Sequence, residues 1–322
     1  MIFFVLRRSI FAIVLLMIVS AFTFWIFSAL PSDPAALTCG KNCRPEVIEA
    51  NRIRLGYDKP IIEQYGGYMK GIFTGRTYGE EGASIHCSAP SLGYSYDRHE
   101  CVTTLIAKTL PVTASIAIGA FTLWILIGVG LGTLAALKRG KWQDRVATGF
   151  SVIGVSFPTF FLGLISIMVF VIWTGLLPFP QYSGITENPW KWMTSLILPW
   201  FVLAIVSAAS YVRMTRNGIL EVMNEEFVRL GLAKGLKRKT LIVKYVMRAA
   251  LVPIVTIAGL DFAFLLGGAL VTESIFNLPG LGKLTLAAVI NSDLPILVAT
   301  TLVAAVFIVV ANAVVDVLYG YL

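Results

Sequence analysis

Long apolar runs alternate with short polar segments along most of the chain. Six of these runs reach the roughly 20 residues that a helix needs to cross a hydrocarbon core of about 30 Å. They cover residues 9–30, 112–137, 146–176, 194–212, 251–271 and 297–319. Pro158 lies inside the third run and predicts a kink or a break in that helix. The pattern therefore predicts an all-α integral membrane protein with six transmembrane helices.

Composition agrees with this pattern and excludes an ordinary soluble domain. Of the 322 residues, 57% are hydrophobic and only 14% are charged, and the mean hydropathy is +0.80. Arg7 and Arg8 precede the first apolar run, as basic residues do in a signal peptide. That run is longer than a signal core of about 7 to 15 residues, so we interpret it as a span.

Basic residues are distributed unequally between the two sides of the membrane. The short segments opposite the N-terminal side carry only Lys191 and Lys283. The segments on the N-terminal side carry many more, namely Arg7, Arg8, Lys138, Arg139, Lys141, Arg145, Arg213, Arg216, Arg229, Lys234, Lys237, Arg238, Lys239, Lys244 and Arg248. The positive-inside rule then predicts that both termini are cytoplasmic and that residues 31–111 form an extracytoplasmic subdomain.

All four cysteines fall in this extracytoplasmic segment: Cys39, Cys43, Cys87 and Cys101. An oxidising compartment favours disulfides, and of the three possible connectivities the first cysteine with the second and the third with the fourth closes the shortest loops. A zinc site that includes His86 and His99 is the alternative, although the spacing matches no standard zinc pattern. Within the same segment, residues 46–55 and 61–73 have helical patterns, and residues 75–96 are typical of a loop.

A basic stretch at residues 226–256 separates the fourth apolar run from the fifth. Residues 219–234 contain no proline and predict a helix, which Gly235 would end with a left-handed cap. Lys237, Arg238 and Lys239 predict a turn. A second short helix would then extend to Pro253, with one apolar face formed by Leu241, Ile242, Tyr245, Val246 and Ala249. The stretch therefore predicts a helix-turn-helix on the cytoplasmic membrane surface.

Seven segments spread over nearly the whole chain carry a family pattern. They are LRR at 6–8, LPSDP at 30–34, LGYDKPIIEQY at 55–65, LGYSY at 92–96, FVRLGLAKGL at 227–236, LLGGALVTESIFNLPGLGKL at 265–284 and NAVVDVLYGYL at 312–322. With these segments the chain resembles the transmembrane permease subunits of bacterial ABC importers, in the dipeptide, oligopeptide and nickel branch. The resemblance implies a permease fold similar to type I ABC importers, in the bacterial inner membrane.

The same resemblance implies that residues 227–236 form a coupling helix that docks into a groove of a cytoplasmic ATPase subunit. Residues of this helix that are expected to make or permit the contact are Phe227, Arg229, Leu230, Gly231, Ala233, Lys234 and Gly235. Small residues would keep the backbone approachable, and the apolar and basic side chains would supply contact and charge. Gly231 departs from the family, which usually has alanine there. The alternative is a basic helix that lies on anionic lipid.

The resemblance also implies the partners of the chain and its way of working. These partners are a second homologous permease, two cytoplasmic ATPase subunits and an extracytoplasmic substrate-binding protein, which together move peptides inward by alternating access. ATP and Mg²⁺ would belong to the ATPase subunits, because the chain lacks a P-loop: Gly282 and Lys283 are followed by Leu284. We expect the chain itself to bind no cofactor, metal or nucleic acid. Nickel chelates or other small solutes are alternative cargoes.

Asp261 lies about 15 Å along the fifth predicted span, near mid-membrane. A carboxylate at that depth is costly, by about 2.5 to 3.5 kcal/mol on insertion scales. It would line the substrate path, act as a gate, pair across the interface with a second permease, or make a structural hydrogen bond.

Two other classes of membrane protein are alternatives to the permease interpretation. An intramembrane serine protease is excluded because both histidines lie in the extracytoplasmic segment, so no span offers a serine-histidine pair. A proton-coupled secondary transporter would typically show inverted repeats and several deep carboxylates or histidines. Here Asp261 is the only deep one, which favours the permease.

Overall fold

The computed structural model describes residues 2–29, 44–55, 58–78 and 84–319. Its contacts divide the chain into a first unit, residues 1–111 with 280–309, and a second unit, residues 112–279 with 310–322. The strands are β1 (Arg76–Tyr78), β2 (Ile85–Cys87), β3 (Tyr94–Ser95) and β4 (Glu100–Cys101). The helices are α1 (Ile2–Ala29), α2 (Pro45–Leu55), α3 (Ile61–Thr74), α4 (Val102–Leu137), α5 (Trp142–Ser156), α6 (Thr159–Ile167), α7 (Pro189–Val222), α8 (Glu226–Ala233), α9 (Arg238–Leu241), α10 (Met247–Leu266), α11 (Leu270–Ile275), α12 (Leu281–Asn291) and α13 (Leu294–Tyr319), with π-helical turns at Met168–Trp173 and Ile242–Val246.

Four helical segments of the described chain are long and apolar enough to cross a membrane: Val102–Leu137, Pro189–Val222, Arg238–Ile275 and Leu294–Leu318. A fifth span arises if α5 is taken together with Thr159–Trp173, which contains α6 and the π-helical turn after it; the two parts meet at an angle of 96°. The bend lies at Phe157 and Pro158, between the two helices, which confirms the predicted break. The described apolar part of α1, Ile10–Ile26, is shorter than these segments.

Short strands occupy part of the first unit where the sequence predicts a loop. β1 pairs with β2 and β3 pairs with β4, both antiparallel. Strands of two or three residues show too little alternation to be recognised from the sequence, so the loop prediction for residues 75–96 was wrong in this respect.

A disulfide joins Cys87 on β2 to Cys101 on β4 and confirms that predicted pair. Cys39 and Cys43 lie outside the described residues.

The start of α4 packs within the core of the first unit. This core contains side chains from α4, α12 and α13, including Val102, Leu105, Ile106, Leu281, Leu284 and Leu297. Because these side chains pack in the core, α4 continues through Pro111, although the sequence predicts a second span that begins only at residue 112. Membrane helices tolerate an internal proline because neighbouring groups can satisfy the freed carbonyl. The predicted helices at residues 46–55 and 61–73 are confirmed as α2 and α3.

Asp293 holds the first turn of α13 to β3. The Ser95 hydroxyl donates a hydrogen bond to Oδ2 of Asp293, and the Ile296 amide donates to Oδ1 at 3.4 Å, as at a helix N-cap. Burial raises the pKa of the Asp293 carboxyl, and the hydrogen bonds from Ser95 and Ile296 oppose that rise only in part. The carboxyl is thus a buried structural element of the first unit.

In the second unit, α4 and α7 approach closely at two glycines. A Cβ atom on Gly128 would lie 2.5 Å from Cβ of Tyr211, and one on Gly132 would lie 2.7 Å from the carbonyl oxygen of Val212. Real Cβ atoms do not occur at such distances, so only glycine permits this helix pair. The spacing of Gly128 and Gly132 matches the small-xxx-small pattern, which predicts such a close approach of two helices, and the structure confirms it.

A buried carboxylate fixes the short helix α11 against α4 in the same unit. Glu273 is fully buried. Its Oε1 atom accepts hydrogen bonds from the Thr113 hydroxyl at 2.7 Å and from the Ala269 amide at 3.3 Å. The chain leaves the helical conformation between α10 and α11, where Gly268 has φ +134°. Glu273 thus anchors the chain where the longest candidate span is interrupted.

Candidate functional site

A turn at residues 223–225 separates α8 from α7. Glu225 is extended, with φ −66° and ψ 150°, and its carbonyl accepts a hydrogen bond from the Val228 amide at 3.1 Å. The prediction of one continuous helix over residues 219–234 was therefore wrong. The turn lets Val228 join the same buried apolar cluster as Ile219 of α7 and Leu241 of α9, a long-range contact that helical periodicity does not reveal. Glu226 places an acidic side chain in the first turn of α8.

Gly235 ends the α8 region in a left-handed conformation, with φ +83°. The Leu236 amide donates to the Gly231 carbonyl at 3.1 Å, and the Gly235 amide donates to the Leu232 carbonyl at 3.0 Å. These two bonds define a Schellman motif. The motif strongly favours glycine at its left-handed position, because glycine has no Cβ atom that would clash there. The predicted C-terminal cap at Gly235 is confirmed.

The second helix of the basic stretch is longer than the sequence predicts. It begins at Arg238, passes through the π-helical turn at Ile242–Val246, and continues through Pro253 to Leu266. Pro253 thus lies inside the helix and does not open a separate apolar element. Val246 and Ala250 are both buried just before the proline, so packing holds the chain helical on its way into the membrane segment.

The inner side of α8 packs on this second helix. Val228 and Gly231 are buried, and the apolar cluster beneath them contains Ala136, Ile219, Leu241, Val246 and Ala250. A Cβ atom on Gly231 would lie 2.8 Å from Cδ1 of Leu241. The expectation that Gly231 keeps the exposed backbone approachable is therefore corrected: its missing side chain makes room for Leu241 inside the helix-turn-helix.

The outer side of α8 exposes large apolar side chains beside basic ones. We call this outer side the coupling surface; it consists of Phe227, Arg229, Leu230, Leu232, Ala233, Lys234, Gly235 and Leu236, all of which are exposed. Leu230 is 60% exposed, against 6% for the inward-facing Val228. Six of the seven sequence-predicted contact residues thus lie on one surface, and Gly231 lies beneath it. An exposed apolar surface on a rigid short helix suits contact with another protein or with lipid.

An ion pair missed by the sequence analysis joins the base of α5 to the end of α7. The Arg216 guanidinium donates to both carboxylate oxygens of Asp144, from Nε at 2.6 Å and from Nη2 at 3.0 Å. The Gly140 amide also donates to Asp144, at 2.9 Å. The Asp144 side chain is 8% exposed and that of Arg216 is 24% exposed. Opposite charges at the predicted ends of two spans were the only available signal.

Asp261 lies on α10, and its described hydrogen bond is made with α7. The Tyr211 hydroxyl donates to Oδ2 of Asp261 at 2.7 Å. Tyr211 is buried, whereas Asp261 remains exposed on the surface of the second unit. The structure therefore shows the hydrogen bond that was one of the predicted alternatives, and it leaves one side of the carboxylate open to another group. Tyr211 was not identified from the sequence, because it sits in an apolar run with no spacing relation to Asp261.

Comparison with known proteins gives two family matches that together span most of the chain. The family described as "Binding-protein-dependent transport system inner membrane component" matches residues 128–322. The N-terminal part described as "Binding-prot-dependent transport system membrane comp, N-term" matches residues 1–117.

Individual relatives are similar over nearly their whole length. A Brucella abortus protein named "Putative peptide transport system permease protein" is 35% identical, over 98% of this chain and 96% of its own. The glutathione transport system permease protein GsiC of Escherichia coli is 34% identical, again over 98% and 96%. Among solved structures, an inward-facing conformation of the MetNI methionine ABC transporter has a TM-score of 0.51 at 17% identity, and the match covers 66% of this chain and 96% of that one.

Proposed function

Since the chain belongs to the family of binding-protein-dependent transport system inner membrane components, we propose that it is the permease subunit of an ATP-driven ABC importer of peptides. The peptide cargo is supported by the two relatives similar over 98% of this chain, named for peptide transport and for glutathione transport. Glutathione is itself a small peptide. Both names point to a peptide cargo, which favours peptides over the alternative of nickel chelates.

We propose six spans for the multi-pass chain, with α1 as the first and the bent pair of α5 and α6 as the third. The distribution of basic residues supports cytoplasmic termini and an extracytoplasmic segment at residues 31–111. In the assembly proposed here, a second homologous permease completes the path, a substrate-binding protein docks outside, and two ATPase subunits bind inside. ATP and Mg²⁺ belong to those ATPase subunits, and this chain acts as a conduit and lever without catalysis.

The coupling surface carries the mechanical part of the proposal. Its exposed apolar side chains sit on a helix that is braced from beneath by Val228 and Leu241 and closed by the Gly235 motif. An exposed helix braced in this way can transmit a displacement, because the buried cluster connects it to α7 and α10. Closure of the ATPase subunits on ATP would move α8, and with it the spans that open the path alternately to each side.

Peptide uptake into vesicles tests this function. Vesicles that contain the complex with its ATPase subunits should accumulate a radiolabelled dipeptide when binding protein is supplied on one side and ATP on the other. Accumulation should stop with a non-hydrolysable ATP analogue and should persist when an ionophore collapses the proton gradient. Accumulation that follows the proton gradient and ignores ATP would instead identify a secondary transporter.

A further inference from the structure

One stripe of α10 is exposed over three turns, and Asp261 is its single charge. The stripe consists of Pro253, Ile257, Leu260, Asp261 and Phe264, which recur at the spacing of one helix face. Each is exposed on the second unit, and Phe264 is 76% exposed. We call these five residues the α10 stripe. The rest of the stripe is apolar, so the carboxylate has no charged neighbour along it.

A lipid-facing position does not suit this carboxylate. An ionised group in hydrocarbon is costly, and such groups in spans normally face protein or a water-filled cavity. Within the described residues, the recorded partner of Asp261 is the Tyr211 hydroxyl, a neutral donor that leaves the negative charge uncompensated. No basic side chain of the described second unit forms an ion pair with Asp261. The Asp261 carboxylate therefore requires water or a cation opposite it.

We propose that Asp261 recognises a protonated amine of the transported solute, with Tyr211 as the positioning residue. Charge complementarity selects this occupant: a carboxylate with one open oxygen accepts the charge-assisted hydrogen bonds that an ammonium donates. The inference rests on the proposed function, because peptides carry such an ammonium at their N-terminus at neutral pH. Tyr211 donates to Oδ2, and the Asp261 side chain remains exposed, so Oδ1 can accept a second donor.

The position three residues further along the helix gives a direct probe of the local charge. Residues at i and i+3 are neighbours on a helix surface. The negative charge of the Asp261 carboxylate should therefore affect the reaction of a thiol introduced by Phe264→Cys with charged reagents. In the assembled complex, we expect a cationic methanethiosulfonate to react faster with this thiol than an anionic one of equal size. Adding Asp261→Asn should lower the ratio of the two rates about tenfold. Asp261→Glu should keep the ratio high, and the protein without the introduced thiol is the blank, since the described cysteines are disulfide-bonded.

Two labelling results would overturn the inference. If neither water-soluble reagent reacts, the stripe faces lipid or is covered by protein. If both reagents react but the ratio of their rates is the same with and without Asp261→Asn, the carboxylate is already neutralised. A basic residue of the second permease would have this effect. Labelling needs no transport, so it judges the cation site even if wild-type vesicles take up no peptide and the proposed function fails.

Uptake supplies the second readout. In wild-type vesicles that transport a dipeptide, Asp261→Asn should reduce uptake about ten- to a hundredfold, as loss of a charge-assisted hydrogen bond implies. Glu187→Gln removes an exposed loop carboxylate that bonds Ser183 and should leave uptake unchanged. Asp261→Glu should restore most uptake. Full transport by Asp261→Asn would contradict the inference while leaving the importer assignment intact.

Discussion

Replacing Gly235 with valine is expected to reduce peptide uptake about tenfold or more while the protein still inserts and assembles in the membrane. The residue has φ +83°, and a Cβ atom placed there would meet nothing within 4 Å. The penalty is therefore conformational: a left-handed L-residue is disfavoured by about 1 to 2 kcal/mol, and a β-branched one by more. Valine should open the Schellman motif and let the coupling surface lose its fixed shape. Uptake by reconstituted vesicles measures the effect.

Gly175 offers a matched control for this substitution. It has φ +60°, and an added Cβ atom there also meets nothing within 4 Å, so Gly175→Val imposes a similar backbone penalty in the loop that precedes α7. That variant should keep most of its uptake. Gly235→Asn should also retain much of it, because asparagine tolerates the left-handed region. Equal losses in Gly175→Val and Gly235→Val would show that strain alone, and not the coupling surface, explains the defect.

Replacing Asp144 with alanine is expected to destabilise the protein by about 2 to 4 kcal/mol. The substitution leaves the Arg216 guanidinium, which is only 24% exposed, without its carboxylate. It also removes the acceptor of the Gly140 amide hydrogen bond. Unpaired charge with little access to water is among the most destabilising changes in proteins. A lowered thermal unfolding midpoint in detergent measures the loss.

The exposed pair of Glu49 and Arg52 provides the comparison. Its side chains are 57% and 40% exposed, so Glu49→Ala should change stability by less than about 1 kcal/mol. The double variant Asp144→Leu with Arg216→Met should recover part of the loss from Asp144→Ala, since an apolar pair can replace an ion pair. A midpoint for Asp144→Ala that matches that of Glu49→Ala would contradict the structural role assigned to the pair.

Features with a local cause could be predicted from the sequence. The Gly235 cap, the break at Pro158 and the close approach at Gly128 and Gly132 each depend on the backbone requirements of one residue type. The Cys87–Cys101 pair closes one of the shortest loops. These predictions hold because the relevant physics acts within a few residues of the chain or on one helix face.

Features that depend on distant contacts could not be predicted in the same way. Helix continuity through Pro111 and Pro253, and the turn that separates α7 from α8, are decided by which side chains become buried. Gly231 is predicted to lie on the exposed surface, but in the structure it is buried and its missing side chain makes room for Leu241. The partners of Asp261 and Asp144 lie 50 and 72 residues away along the chain, and no spacing rule connects them.

The family match covers the chain without placing the coupling surface against any other subunit. That placement is the central claim, because it explains how a chain without a P-loop can be driven by ATP. The claim requires that the outer side of α8 touches an ATPase subunit and that its inner side does not. Leu230 and Val228 provide this contrast, since they lie two residues apart on opposite sides of the helix.

Site-specific cross-linking in the purified complex tests the contact most directly. A photoreactive label attached through Leu230→Cys should be captured by the ATPase subunit, with a yield that changes when ATP is added. Val228→Cys, which is buried beneath that surface, should take up little of the label and should give no ATPase product. Absence of any ATPase product at position 230, with capture by lipid alone, would contradict the account.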